Sequence, residues 1–298
     1  MEVCLAIMSV GAPGTLELTS ESPNIYSLVL PGGNSLSVIP QRGGLISSWR
    51  VQGRELLYFD HERFADPGKS VRGGIPILFP ICGNLPGNTL ELSQRSFPIF
   101  QHGFARDLSW TLKALDNSLG IELSLCSDHN SLCHYPYPFR LSVRYSLEAS
   151  SLAITVEVQQ LSTGTAAMPF SFGLHPYFAV SALESVTVEG LPAQCFSHHT
   201  MAPTASQSEL QRLPAGIDLL AGPAASVRLV DHGLGSAIEM QMQSPLDLAV
   251  VWTDPPRPMV CLEPWTAPRG ALATGDRCLW LTPGESRRLQ CRYSLLQS

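Results

Sequence analysis

Phe139, Leu141, Val143, Tyr145 and Leu147 alternate with polar or charged residues, and after a polar turn over Glu148 to Ser151 the alternation resumes at Leu152, Ile154, Val156 and Val158. A period of two buries one face of an extended chain, so this spacing predicts a β-hairpin. Leu279 and Leu281, the turn Pro283-Gly284, and then Leu289, Cys291, Tyr293 and Leu295, with Gln290, Arg292 and Ser294 on the other face, predict a second. Shorter runs at Val186 and Val188, and at Ile238, Met240 and Met242, continue the pattern. No stretch of three or more turns carries a helical stripe, and 24 Gly and 24 Pro punctuate the chain. These features predict an all-β protein, most simply one large sandwich in a single domain over residues 1–298, with no linker or internal repeat.

The 298 residues, 44% hydrophobic and 15% charged, are enough for a large core, as one big β domain or two smaller units. A net charge of -6 leaves no basic field for a phosphate backbone, so the expected partner is a small molecule and not nucleic acid. Lys69 and Lys113 are the only lysines, so recognition of an anion falls to arginine, whose planar fork suits phosphate or carboxylate. The 8 cysteines, at positions 4, 82, 126, 133, 195, 261, 278 and 291, are scattered and several sit in apolar runs, as buried free thiols of a reducing compartment do. Met1 to Gly14 is apolar but carries Glu2 and no basic residue, unlike a secretory signal, and no apolar run approaches the ~18 residues of a membrane span. A cytoplasmic location without a membrane partner is the expectation.

Several motifs fail on spacing. Gly68-Lys69-Ser70 resembles the end of a phosphate loop, but Arg63 stands where the first glycine is needed. There is no G-x-S-x-G around a serine and no G-x-G-x-x-G after a strand. Cys126, Asp128, His129, Cys133 and His134 cluster without a C-x-x-C pair in a loop-like stretch, a weak pattern for zinc. His198-His199 is equally weak, since neighbours on a strand point to opposite faces.

Four segments mix charged or imidazole groups with Gly, Pro and aromatic residues, a combination that costs core packing and suits a ligand site on a rigid frame. They are Val71-Arg72-Gly73-Gly74-Ile75-Pro76, running on to Gly83-Asn84-Leu85; Gln101-His102-Gly103-Phe104-Ala105-Arg106; Pro169-Phe170-Ser171-Phe172-Gly173-Leu174-His175-Pro176-Tyr177-Phe178; and Cys261-Leu262-Glu263-Pro264-Trp265-Thr266. Trp265 is an aromatic that could lie against a sugar face. Each segment also has a structural reading: His175 as a hydrogen-bonded core histidine, Glu263 as a strand-end carboxylate paired with an arginine, Arg72 and Arg106 as partners of nearby acids.

Together with Tyr135-Pro136-Tyr137-Pro138-Phe139 and Ala267-Pro268-Arg269-Gly270-Ala271-Leu272, these segments resemble, in order and combination, the aldose 1-epimerase and hexose-6-phosphate mutarotase superfamily. The resemblance spans nearly the whole chain and implies a β-supersandwich of galactose mutarotase-like type. It implies an isomerase that exchanges the α and β anomers of a hexose or hexose 6-phosphate, with no cofactor and no metal. By motif position it places the general acid on His175 and the general base on Glu263, with Arg72, Gln101, His102 and Arg106 among the ligand-binding positions. Asp218, in Gly216-Ile217-Asp218-Leu219, resembles a sugar-binding aspartate of the plain aldose epimerases. The chain departs from the pattern where phosphate-accepting relatives tend to carry an aspartate and it has Cys195-Phe196-Ser197-His198, and where Gln160 replaces an asparagine. The chemistry agrees with these roles: a histidine and a glutamate can deliver one proton to the ring oxygen and take another from the O1 hydroxyl in both directions. A carbohydrate-binding or sugar-sensing protein on the same fold is the main alternative, although a pure binder needs no acid and base together. A lyase or hydrolase with a different carboxylate pair and a longer groove is the weaker one.

Overall fold

A computed structural model of the chain describes residues 14–92, 95–116 and 119–297; residues 1–13 of the apolar start discussed above, Cys4 included, lie outside them. Every pairing between named strands is antiparallel. A five-stranded sheet runs in chain order from Thr15–Glu21 to Arg54–Glu55, and two eight-stranded sheets form the body of the fold. The first is ordered Val186–Glu189, Val227–Asp231, Ser236–Gln243, Ser286–Gln297, Ser151–Gln160, Phe139–Leu147, Gly120–Cys126, Thr111–Ala114. The second is ordered Ala202–Ala205, Gln194–Ser197, Asp218–Ala221, Leu248–Trp252, Met259–Trp265, Gly173–Leu174, Ile77–Leu78, with Tyr177–Ala179 also paired to Met259–Trp265. The helices are short, the longest being the six residues His129–His134, and none among the described residues is long and apolar enough to cross a membrane.

The hairpin expected around Glu148 to Ser151 forms, with Phe139 opposite Gln160 and Leu147 opposite Leu152. Its alternating aliphatic and aromatic side chains are buried, while Arg140, Arg144 and Glu157 face solvent. The second expected hairpin does not form. The turn is present, with Glu285 N–H donating to the Thr282 carbonyl, but Leu279–Leu281 pairs with Met168–Phe170 while Ser286–Gln297 inserts between Ser236–Gln243 and Ser151–Gln160. Period-two alternation dictates which face of a strand is buried and is silent on which neighbour it joins, so the two arms leave the turn for different sheets. Of the cysteines within the described residues, Cys82, Cys195, Cys261 and Cys291 are buried free thiols, whereas Cys126 and Cys133 are exposed. Gln160 is a structural residue: its buried amide donates to Ser162 Oγ and the Ala166 carbonyl, tying down the loop beyond its strand.

The second large sheet is buried on both faces around Met259–Trp265, and its alternation sorts side chains between two environments. Val260 and Leu262, with Val251, Leu219 and Phe178 on neighbouring strands, join the main core. Cys261, Glu263 and Trp265, with Trp252, Asp218 and Tyr177, point the other way. The two large sheets are fastened where Tyr293 of the first packs its ring on Phe178, centroids 5.1 Å apart, and donates its hydroxyl to the Leu262 carbonyl at 2.8 Å. Tyr293 is fully buried, so Tyr293→Phe leaves a buried acceptor short of a donor; the expected loss is about 1–2 kcal/mol of unfolding free energy with an unchanged denaturant slope. Urea titration of the variant checks this, and wild-type stability would show that the bond contributes nothing.

Candidate active site

The face of the second sheet opposite the core opens into a cavity of about 280 Å³ lined by Arg72, Gln101, His102, Arg106, His175, Asp218 and Glu263, together with Tyr177, Trp252, Trp265 and Arg269. Every residue singled out from the sequence as a candidate therefore lies in one place, although they come from five stretches of chain. Ligand pockets for small molecules start near about 300 Å³, so this one has room for a single sugar ring and no groove for an oligomer.

Glu263 sits mid-strand, 1% exposed, with Trp265 Nε1 donating to Oε2 at 3.0 Å and His175 Nε2 3.3 Å from Oε1. Trp265 is two residues on, on the same face, and has room to lie there because residue 173 is glycine: a Cβ at that position would meet Trp265 Cδ1 at 2.7 Å. His175 follows the short strand Gly173–Leu174, donates its backbone N–H to the Pro76 carbonyl, stacks on Tyr177 at 4.8 Å and meets Trp252 and His102 edge-on. Its Nδ1 is buried without a partner. Burial drives the His175 pKa down to about 3, helped by the positive charge of Arg106. Burial, with the negative charge of Asp218, holds the Glu263 carboxyl well above the usual carboxylate range against the pull of Trp265, Arg269 and Arg106. Both shifts favour the uncharged forms, a neutral imidazole and a protonated carboxyl, so the proton of the pair is drawn toward the carboxyl side.

His102 is held by a turn. It and Gly103 adopt φ of 68° and 71°, and a Cβ at Gly103 would collide with the Phe79 carbonyl at 2.2 Å. The His102 backbone N–H donates to the Gly83 carbonyl at 2.7 Å, and the Gly83 N–H donates back to His102 Nδ1 at 3.1 Å. Nδ1 is thus an acceptor, and the ring proton sits on Nε2 as a donor. Burial first, then Arg106 and the neighbouring imidazole of His175, push the His102 pKa well below its ordinary value.

The charged groups are unequally committed. Asp218 accepts from His198 Nδ1 at 2.6 Å and from Arg269 Nη2 at 2.7 Å. Burial would raise its pKa, but these partners hold it below the ordinary value. Arg72 donates to Asp254 at 3.2 Å and to Ser70, and lies over the Trp252 ring. Arg106 donates to the Gln101 carbonyl at 2.8 Å, and among the described residues no carboxylate stands within ion-pair distance of it. Gln101 is exposed at the cavity wall.

His198 and Arg269 were not among the sequence candidates. The expectation that His198 and His199 diverge as strand neighbours does not apply, because both lie in the turn after Gln194–Ser197; there the His198 ring stacks beside Trp265 while His199 is exposed. The side chains of the cluster from Cys126 to His134 do not converge on a common point. Asp128 is consumed in a capping box with Ser131, Cys133 donates to the His129 carbonyl and His134 contacts the Pro98 carbonyl, so a short helix replaces the expected loop.

A galactose mutarotase-like protein from Clostridium acetobutylicum has the same architecture, with a TM-score of 0.80 at 19% identity over 97% of this chain and 100% of that one, a likeness of fold. The Slr1438 protein of Synechocystis sp. PCC 6803 shares more sequence, 32% identity with a TM-score of 0.85 over 98% of this chain and 99% of that one. The class defined by fold and site is therefore the galactose mutarotase-like β proteins. Residues 26–294 match the model of the family described as Aldose 1-epimerase, and the chain belongs to that family, which makes it an isomerase-type enzyme of sugars. A relative from Cenchrus ciliaris, named "Putative glucose-6-phosphate 1-epimerase", is 27% identical over 95% of this chain and 88% of its own length.

The opposed pKa shifts set the acid response of folding. Below pH 6.5, His175 stays neutral folded and protonates unfolded, which lowers stability as pH falls; Glu263, whose pKa is raised on folding, contributes with the opposite sign. The two offset one another. His102, depressed below 6.5 and without such a counterpart, leaves a net loss approaching about 1.4 kcal/mol per pH unit below 6.5. Denaturant unfolding at pH 7, 6 and 5 is expected to show this slope in wild type and a flatter one in His102→Gln; equal slopes would contradict it.

Proposed function

We propose that the protein exchanges the α and β anomers of a hexose, preferentially as its 6-phosphate ester, with His175 and Glu263 as the proton-transfer pair. The observation that carries this reading is the approach of His175 Nε2 to Glu263 Oε1 at 3.3 Å inside a cavity the size of one sugar ring. The two oxygens that must trade protons, O1 and the ring oxygen, are bonded to the same carbon, so acid and base have to be neighbours. In each half-reaction one member of the pair takes the O1 proton while the other supplies a proton to the ring oxygen. The C1–ring oxygen bond breaks, C1=O1 forms, a half-turn about C1–C2 presents the other face of the aldehyde, and the reverse transfers close the ring. The pair begins and ends with a single shared proton, and either member can hold it at the start. His102 Nε2–H and the guanidinium groups are donors that hold the ring hydroxyls and O1 in place.

Preference for the phosphate ester rests on Arg106. A guanidinium lining the cavity, bonded to a carbonyl and with no carboxylate within ion-pair distance among the described residues, is free to pair with a dianionic ester. The name of the Cenchrus ciliaris relative points the same way.

Polarimetry, or proton exchange spectroscopy, on freshly dissolved α-glucose, α-galactose and glucose 6-phosphate tests the reading. Wild type is expected to accelerate exchange, and His175→Asn and Glu263→Gln to lose about 10²–10⁴-fold each. Absence of acceleration on any sugar would favour a sugar-binding protein. Arg106→Gln is expected to raise KM for glucose 6-phosphate about 10- to 100-fold while leaving kcat/KM for free glucose within a few-fold; an equal loss on both sugars would remove the phosphate preference. With the His175 pKa near 3, kcat is expected to show no acid limb at the ordinary histidine pKa of 6.5, staying level from pH 7 to 5.

A further inference from the structure

Cys261 is a fully buried group behind the cavity wall, packed with Tyr177 and Trp252, that anomer exchange does not use. It lies two residues before Glu263 on the same face of the strand Met259–Trp265, and its register partner is Tyr177, whose ring stacks on His175. One ligand atom each from His175, Cys261 and Glu263 falls within 4.8 Å of the other two, and among the described residues this is the one such group of His, Cys, Asp and Glu. The three residues are 9%, 0% and 1% exposed, and the Nδ1 of His175 has no hydrogen-bond partner.

We propose that His175, Cys261 and Glu263 form a binding site for a thiophilic divalent cation, zinc above all, which switches the enzyme off by occupying its acid and base together. An imidazole nitrogen, a thiolate and a carboxylate are a zinc donor set, with bonds of about 2.0–2.3 Å that place donors around a tetrahedral centre roughly 3.3–3.7 Å apart. His175 Nε2 and Glu263 Oε1 already stand 3.3 Å apart, and the sulfur has on the order of 1 Å to close. Charge favours this set in particular. The cavity holds the guanidinium groups of Arg72, Arg106 and Arg269, which would repel a cation on neutral donors; a thiolate and a carboxylate cancel both charges of the metal, so the bound centre adds none. As the Zn–S and Zn–O bonds form, the S–H bond of Cys261 and the carboxyl O–H of Glu263 break and both protons leave to solvent, with no change of oxidation state. Magnesium and calcium prefer all-oxygen shells and are excluded by the sulfur and nitrogen donors. A metal held by His175 and Glu263 takes both cavity-lining groups from the sugar, so metal and sugar compete.

Binding is read without sugar by titrating the metal-free protein with cobalt(II). The expected result is a near-ultraviolet thiolate-to-cobalt band with tetrahedral visible bands, saturating at one equivalent and displaced by zinc. The band is expected to vanish in Cys261→Ala and to persist when the exposed Cys126 and Cys133 are both replaced by Ala; Cys261→Ser gives the same readout should the alanine variant not fold. Zinc is then expected to inhibit anomer exchange reversibly, with EDTA restoring it, and Cys261→Ala to need at least tenfold more zinc for the same inhibition. A wild type without the band, a band that survives in Cys261→Ala, or inhibition equal in both proteins overturns the proposal. The inhibition rests on the epimerase reading and the cobalt band does not, so an enzyme inactive on every sugar with the band intact refutes the first and leaves the metal site standing.

Discussion

The register of one strand holds the arrangement together. Met259–Trp265 is buried on both faces, so a slip by a single residue would turn Leu262 into the cavity and Glu263 into the main core. A carboxylate in that core would cost several kcal/mol with nothing to meet it. In the observed register it meets Trp265 Nε1 and His175, while Leu262 accepts from Tyr293 of the opposing sheet. The neighbouring strands follow the same sorting: Val250 stands opposite Glu263, and Trp252 and Tyr177 stand opposite Cys261. The site is thus the reverse side of the core, and the packing that buries Phe178 and Leu262 also aims His175 and Glu263.

Burial makes the pair useful as well as expensive. In water a glutamate and an imidazole titrate two units apart with the proton on the imidazole; removed from water, both charged forms are disfavoured and the neutral arrangement gains. That reverses the order found in water and shifts a shared proton from the imidazole toward the carboxyl. The cations around the pair then matter through what is left uncommitted. Arg269 is answered by Asp218 and Arg72 by Asp254, which also accepts from Arg257. Arg106 bonds a carbonyl and has no carboxylate within ion-pair distance among the described residues, inside a protein whose net charge is -6.

Much of this was legible in the chain. Alternation at 139–147 and 152–158 is local, and a tight polar turn between the runs leaves each strand no nearer partner, so pattern and pairing coincide. At 279–295 the pattern is equally clear, but Ser286–Gln297 found longer partners on both sides in Ser236–Gln243 and Ser151–Gln160, and pairing between distant segments leaves no mark on spacing. The candidate site followed from segments in which imidazole, guanidinium and carboxylate stand beside Gly and Pro, and all of them reach the cavity. His198 escaped because it opens a turn after a short strand, with nothing nearby in sequence to mark it; it bonds Asp218, twenty positions away and adjacent only through the pairing of Gln194–Ser197 with Asp218–Ala221. The histidines and cysteines around 126–134 show the converse, since nearness in sequence gave them a capping box and a short helix instead of a common ligand.

The division of labour between strands and turns has a physical basis. Proton transfer fails with sub-ångström displacement; of the proposed pair, Glu263 sits mid-strand bonded by Trp265, and His175, between the short strands Gly173–Leu174 and Tyr177–Ala179, is fixed by its backbone bond to Pro76 and the stacked Tyr177. Donors to hydroxyl groups tolerate more, and His102 comes from a turn that would ordinarily be mobile. There a positive φ at both His102 and Gly103 folds the chain back so that Gly83 binds the histidine through its backbone and its ring at once. This clamp gives a loop residue the fixed tautomer and direction that a sheet gives His175, without which Nδ1 and Nε2 of His102 would be interchangeable and the donor facing the cavity would be present only part of the time.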